Sequence, residues 1–280
     1  MKSTVSAVAL VALVAGAALA RPPLDVSTSA ILFDDEGGVI RGPSNQSYDF
    51  EAPAFAVGSL EPQGNWISSG VDLPWQTVSN ANPATGTQHV RTIFDPTVAV
   101  PTNRSVRTTG TGALPIGPSS VSVDFRISHN NGADYDIIGQ APTQLLLTWR
   151  VKLYFGDLDG DFASGEILIL DDPDGAGPLG LAFVSTGVEY TPGVYANLRV
   201  EANPGADTLL YFLNNTLLYT GVIGVFAGTT VEQFVFLHDN FQTAGIGERG
   251  DIDNVTIIPA PGAIALLGLG GLAAARRRRN

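Results

Sequence analysis

Between residues 121 and 258 the chain alternates apolar and polar side chains with a period of two. Val121-Ser122-Val123-Asp124-Phe125-Arg126-Ile127-Ser128 sets every apolar residue on one side and every polar one on the other. Successive side chains of a strand point to opposite faces, so this segment predicts a half-buried strand. Leu147 to Phe155 repeats the pattern, with Leu147, Trp149, Val151, Leu153 and Phe155 facing inward and Trp149 in the core. Further strands are predicted at Glu166–Leu170, Leu179–Ser185, Tyr195–Glu201, Thr208–Leu213, Thr216–Val222, Val231–His238 and Ile252–Ile257. Turn chemistry separates them: Asp171-Asp172-Pro173-Asp174-Gly175, Tyr190-Thr191-Pro192-Gly193, Asn203-Pro204-Gly205 and Asn214-Asn215. Asn and Gly tolerate positive φ and Pro presets the first turn position. Leu213-Asn214-Asn215-Thr216 therefore predicts a tight hairpin. Leu24 to Val90 is less regular and reads as partly loop. Many short strands at close spacing predict an all-β domain, a β-sandwich or jelly roll.

The two ends follow different rules. Met1 to Ala20 carries Lys2, an apolar stretch from Val5 to Leu19, and Ala18-Leu19-Ala20. These are the charged, apolar and small-residue regions of a secretory signal peptide, cleaved after the Ala18/Ala20 site to leave Arg21 first. The far end reads Pro259-Ala260-Pro261-Gly262, an apolar run from Ala263 to Ala275, then Arg276, Arg277, Arg278 and Arg279. The prolines separate this tail from the preceding domain, the apolar run is suited to lipid, and the arginines hold its end in the cytoplasm. An ordinary C-terminal membrane anchor has this layout. It also resembles the PEP-CTERM sorting signal of Gram-negative bacteria, in a planctomycete-type Pro-Ala-Pro-Gly form. That resemblance implies recognition by an exosortase, transient anchoring in the inner membrane by the C-terminal transmembrane helix, and delivery to the cell surface or extracellular matrix. The expected organisation is a signal peptide (1–20), an N-terminal segment (21–46), a β-sandwich domain (47–258) and a sorting segment (259–280).

Composition narrows the partners. There are no cysteines, so neither disulfides nor thiolate metal sites contribute. The formal charge is −12; without Lys2 and the four terminal arginines, ten of the 15 basic residues face 27 acids, a net −17. Such a surface repels nucleic acid and anionic lipid, which leaves membrane contact to the terminal segments, and it suits divalent cations or simple solubility.

Three kinds of chemistry are worth testing. Asp157-Leu158-Asp159-Gly160-Asp161, followed by Glu166, places Asp157, Asp159 and Asp161 at alternate positions that can converge on calcium. The EF-hand template fails at its sixth and twelfth positions, Phe162 and Leu168, and a solvated hairpin tip has the same composition. Asp171, Asp172 and Asp174 make a second acidic turn. For catalysis, the E-x-D-x-x-E strand pattern of jelly-roll glycosidases is missing. A polysaccharide lyase would need a histidine or tyrosine base beside a cation that neutralises the uronate, yet His89, His129 and His238 stand far apart in sequence. No phosphate loop, zinc helix or nucleophile elbow occurs. Sugar binding asks less: an exposed aromatic ring stacks on a pyranose while amides and carboxylates bind hydroxyls. Trp66, Trp75 and Tyr154 are the candidate platforms, and each is also a candidate for ordinary packing.

A second resemblance spans about residues 47 to 258. Asp49-Phe50-Glu51, Gly58-Ser59-Leu60 and Gln63-Gly64-Asn65-Trp66 are followed by Gly193-Val194-Tyr195-Ala196-Asn197-Leu198-Arg199-Val200, Tyr211-Phe212-Leu213-Asn214-Asn215 and a closing Asp251-Ile252-Asp253-Asn254-Val255. This order is similar to concanavalin A-like or laminin G-like jelly rolls of bacterial surface proteins. It implies that the Phe-Glu segment lies beside the final strand, and that Glu51 and Asp253 share a structural calcium tethering the two ends. The whole reading is an exported, exosortase-sorted protein without catalytic activity that binds or organises extracellular polysaccharide, or serves as a structural envelope module. The alternative is a polysaccharide hydrolase or lyase on the same scaffold.

Overall fold

The computed structural model describes residues 46–61, 63–69, 76–93, 104–108, 114–115, 119–128, 134–141, 146–154, 162–176, 180–203, 206–223, 230–231, 233–239 and 249–258. Its strands, in chain order, are β1 (Gln46–Tyr48), β2 (Gly58–Ser59), β3 (Trp66–Ser69), β4 (Gln76–Ser79), β5 (His89–Ile93), β6 (Arg104–Thr108), β7 (Leu114–Pro115), β8 (Ser119–Ile127) and β9 (Asp134–Ala141). There follow β10 (Leu146–Leu153), β11 (Glu166–Asp171), β12 (Ala182–Glu189), β13 (Ala196–Asn203), β14 (Thr208–Leu213), β15 (Thr216–Val222), β16 (Thr230–Val231), β17 (Gln233–Asp239) and β18 (Arg249–Ile258). Among the described residues no helix is long and apolar enough to cross a membrane.

Two large antiparallel sheets face each other. Sheet A runs β15-β14-β13-β8-β18-β5-β4-β2, with β1 also paired to β18; sheet B runs β12-β11-β10-β9-β17-β6-β3. The short pair β7–β16 lies apart. Strands from distant parts of the sequence are neighbours, as a jelly roll requires: β8 sits between β13 and β18, and β9 between β10 and β17. The predicted alternation explains the layering. Val121, Val123, Phe125 and Ile127 are buried between the sheets with Trp149, Val151 and Leu153, while Ser122 and Asp124 lie half-exposed outside. Asn214 and Asn215 both take positive φ, 50° and 64°, and join β14 to β15 through the predicted hairpin. Such a turn matches the twist of the flanking strands.

Two features of the fold escape the alternation pattern. Where it is described, the 24–90 region is partly loop, as expected, with β1 to β4 and the start of β5 within it. Its strands are two to five residues long, too short for alternation to register. The second is β9, central in sheet B and unpredicted. Its sequence carries two aspartates and two adjacent isoleucines, because ion pairs and apolar contacts share its outer face. For the same reason β10 is buried on both faces rather than one: Arg150 is 2 % exposed and Lys152 8 %.

Within β9, Gly139 faces Trp149 so closely that a Cβ there would overlap the indole. Gly139→Ala would gain about 0.4–1 kcal/mol by restricting the unfolded chain, against about 1–3 kcal/mol for overpacking a core. Net destabilisation is expected. Urea unfolding followed by tryptophan fluorescence should show a lower midpoint, and an unchanged or higher one would contradict this packing.

Candidate functional site

The outer face of sheet A carries the densest polar chemistry. On β18, Ile252, Val255 and Ile257 face the core, which turns Asp251 and Asp253 outward. Asp251 nevertheless is 0 % exposed. Arg91 on β5 donates from Nε to its Oδ1 at 2.8 Å, and Arg126 on β8 donates Nε and Nη2 to Oδ2 at 2.9 and 2.5 Å. Arg249 Nε stands 3.8 Å away. His89 Nε2 lies 3.4 Å from Oδ1, close enough to favour the carboxylate though too poorly aligned for a hydrogen bond. Burial pushes the Asp251 pKa up, but the adjacent His89 imidazole and the bonds from Arg91 and Arg126 outweigh it and hold the carboxyl below its ordinary value.

Tyr195 completes this cluster, with Arg126 over its ring at 4.6 Å and the His89 ring 6.4 Å away. Folding thus joins a histidine, a tyrosine and two arginines from residues 89 to 195, the residue types a lyase uses, which no sequence spacing revealed. Their state is that of a packed network. His89 is fully buried, the Tyr195 hydroxyl is buried without a hydrogen-bond partner, and both guanidiniums are bound to Asp251. Burial, reinforced by Asp251, raises the Tyr195 pKa well above the usual phenol value.

Glu51 and Asp253 meet on a single loop. Glu51 accepts from Thr87 N (2.6 Å), Thr87 Oγ1 (2.5 Å) and Gln88 N (2.9 Å), and the Thr87 hydroxyl is the main cause of its lowered pKa. Asp253 accepts from Ala84 N (3.1 Å) and Thr85 N (3.3 Å) through Oδ2, and from Asn254 N (2.8 Å) through Oδ1. The register of β1 against β18, Tyr48 opposite Val255, brings the Phe-Glu segment beside the last strand as the resemblance implied. Phe50 takes φ 59°, strained for a bulky residue, where it turns the chain from β1 into Glu51. Its ring is fully buried against Phe55 and Trp66, at centroid distances of 5.2 and 5.3 Å, which holds the turn.

Among the described residues, no cation forms a salt bridge with Glu51 or Asp253. Asp253 is pushed up to about 6 by burial, only partly relieved by its three amides. The carboxylates of Glu51 and Asp253, which hold the 84–88 loop, are hard oxygen donors of the kind calcium prefers, so the donor chemistry fits that ion. Among the described residues no group of three or more Asp, Glu, His or Cys could hold a metal. A calcium here would therefore need main-chain oxygens or water besides Glu51 and Asp253.

On sheet B, Asp134 and Asp136 share the outer face of β9, two residues apart. Asp136 is fully buried and receives Arg150 Nε and Nη2 at 3.0 and 2.7 Å, while Lys152 Nζ reaches Asp134 at 2.7 Å. Phe183 lies under both cations, at 5.0 Å from Arg150 and 5.2 Å from Lys152. Glu166 is buried and bound by the Ser185 hydroxyl and by Ala163 N at 3.0 Å. In the second acidic turn, Asp172 caps Ala176 N at 3.0 Å and Asp171 accepts from the Tyr219 hydroxyl at 2.9 Å. Burial, then that bond, pushes Tyr219 up to about 12.

Both described sugar platforms are corrected by their burial. Trp66 is 1 % exposed inside the aromatic cluster with Tyr48, Phe50 and Phe234, so its ring offers no face to a pyranose. Tyr154 is 5 % exposed and meets Phe162 edge-on at 5.7 Å. Its polar-face position in the predicted 147–155 strand suggested exposure, but the outer face of β10, which it follows, is itself buried. Trp75, the acidic run Asp157, Asp159 and Asp161, the Ala18/Ala20 cleavage site, Pro259-Ala260-Pro261-Gly262 and Arg276 to Arg279 lie outside the described residues.

Asp251→Asn would leave two guanidiniums without their carboxylate, a loss of about 3–5 kcal/mol. Because the folded pKa is depressed, this stabilisation is present above the ordinary carboxylate pKa and is lost as pH falls through the folded value. Urea midpoints at pH 7 should fall sharply in the variant; equal midpoints would refute the clamp. Asp253 has the opposite sign: its raised pKa means the folded state holds a proton that the unfolded chain releases. In EDTA, the melting temperature of the wild type relative to Asp253→Asn should decline as pH rises from the ordinary 3.8 towards about 6. A pH-independent difference would contradict this assignment.

No protein-family model matches the chain, and neither does any curated protein. Among solved structures, a Bacillus licheniformis β-glucanase aligns with a TM-score of 0.50 at 11% identity, over 79% of this chain and 100% of the other. An endo-β-1,4-glucuronan lyase from Trichoderma reesei gives 0.46 at 12% identity, over 77% of this chain and 95% of that one. A sialidase gives 0.46 at 15% identity over 74% of this chain, which spans only 18% of that chain's length. At such identity the first of these shows the fold alone: two antiparallel sheets stacked as a concanavalin A-like jelly roll.

Proposed function

We propose that this chain is an exported, surface-sorted jelly-roll protein that binds or organises polysaccharide and does not cleave it. The observation that carries the reading is that, among the described residues, the buried carboxylates of Asp136, Glu166 and Asp251 on the outer faces are already bound. Asp136 is held by Arg150, Asp251 by Arg91 and Arg126, and Glu166 by Ser185 and Ala163. A hydrolase needs a carboxyl group free to exchange a proton or attack a sugar carbon. The β-glucanase likeness fits a carbohydrate role, although fold does not fix function. Calcium held by Glu51 and Asp253 would neutralise two carboxylates and tie β1, the 84–88 loop and β18 together. Export rests on the Met1–Ala20 signal, and sorting by an exosortase on the resemblance of Pro259 to Arg279 to PEP-CTERM tails. The exosortase and the secretion machinery are thus the first partners, and extracellular polysaccharide the second.

One observation favours the rival lyase, namely the meeting of His89, Tyr195, Arg91 and Arg126. The two readings separate in one assay. The exported protein is incubated with host exopolysaccharide and plant and algal polysaccharides, in calcium or EDTA, and both retention and released sugar are measured. Retention without released sugar, with a melting temperature raised by calcium, is expected. Unsaturated or reducing ends would overturn the non-catalytic reading, and a melting temperature indifferent to calcium would remove the ion from it.

A further inference from the structure

The outward residues of β8, β13 and β18 form a ladder beside the buried Asp251 network. Asp124 stands at its centre. Asn197 Nδ2 donates to Asp124 Oδ1 and Asn254 Nδ2 to Oδ2, both at 2.7 Å. Each amide also donates to a hydroxyl at 3.0 Å, Asn197 to Ser122 and Asn254 to Thr85. Asn254 reaches this position because β18 is irregular between Asp253 and Thr256 and because Asn254 takes φ 48°. Such irregularities re-aim side chains, and Asn is a residue that tolerates this conformation. One strand pair away, Phe212 on β14 is half-exposed with the Arg199 guanidinium 4.2 Å above its ring. Unlike Asp251 and its partners, Asp124, Asn197 and Asn254 are half-exposed and Thr85 is exposed.

Resting on the carbohydrate reading above, we infer that this ladder and the Phe212–Arg199 shelf form the saccharide-binding site, and that its ligand is a neutral, hydroxyl-rich polysaccharide. A carboxylate accepts at about four lone-pair positions, and the two amides occupy one bond on each Asp124 oxygen. The remaining positions suit sugar hydroxyls, which donate. The amide oxygens of Asn197 and Asn254 each accept one hydroxyl proton at 3.3 Å, from Ser122 and Thr85, and keep a second lone pair for a sugar hydroxyl. At strand spacing, about 4.8 Å, a chain laid across the strands meets acceptors in succession. Phe212 and the planar Arg199 head give an apolar surface for a pyranose face. Charge selects against acidic sugars: Arg199 is ion-paired with Glu201, and among the described residues no cation forms a salt bridge with Asp124, on a protein of net charge −12.

The test measures binding of the exported full chain to neutral glucan, xylan and mannan chains and to alginate and polygalacturonate. Binding to a neutral chain should weaken tenfold or more in Asp124→Ala and Phe212→Ala, with melting temperatures near wild type, and the acidic polymers should not bind. Hydrogen exchange on the wild type gives an answer even if a variant fails to fold: the ligand should protect β8, β13 and β18. Undiminished binding in both variants, or protection confined to sheet B, overturns this site but leaves the carbohydrate reading standing. Preference for an acidic polymer overturns the ligand class. If the wild type binds none of the five polymers, the carbohydrate reading itself falls, and the site with it.

Discussion

Asp251 carries a charge in a place without water, and sheet A is organised around keeping it there. Taking a carboxylate out of solvent costs several kcal/mol unless cations and hydrogen bonds surround it. β18 lies between β8 and β5, so each neighbour contributes one guanidinium, Arg126 from one side and Arg91 from the other. The network therefore fixes the register of β18 against β5 and β8, whose arginines lie 160 and 125 residues from Asp251 in the sequence. Val90, Phe125 and Ile252 alternate with these charges on the opposite face and build the core. Ionic specificity outside and apolar burial inside act on the same three strands.

The C-terminal strand is also where the chain closes. Beyond Asp253 its partner changes from β5 to β1, and the break in register between Asp253 and Thr256 marks the exchange. Asp253 and Glu51 seize the loop that precedes β5 from two directions. Gly86 belongs to that loop for a stated reason: it takes φ 62°, and a Cβ there would overlap the Glu51 carboxylate. The strained Phe50 turn, held by its aromatic neighbours, aims Glu51 at the same spot. The outward-turned Asn254 then extends this closure into the ladder around Asp124, so the candidate ligand surface inherits its rigidity from the clamp beneath it.

Sheet B shows a different balance. Its outer face mixes Ile138, Leu170, Val235 and Leu237, all buried, with the Asp136–Arg150 pair. A bidentate pair of this kind gives geometric specificity as well as energy, and Phe183 supplies a face for both nearby cations. Asp134 and Asp136 accept structural bonds from the cations beside them.

Alternation along Val121–Ser128 and Leu147–Phe155 was enough to place two central strands, and Asn214-Asn215 enough to place a hairpin, because each depends on residues adjacent in the chain. The pairing of the Phe-Glu segment with the last strand was likewise legible, through resemblance. β9 and the doubly buried face of β10 were not, since Asp134, Asp136, Arg150 and Lys152 read as surface charges until they meet one another. For the same reason the sequence left Trp66 and Tyr154 open between sugar platform and ordinary packing, and packing from elsewhere in the chain covers both. The sequence by itself determined the all-β class, the turns and the apolar face of the best strands, because local periodicity sets which side a residue takes. Only the tertiary structure decided which charges are buried, which carboxylates are bound and which aromatic stays half-exposed, because burial is fixed by partners distant in sequence.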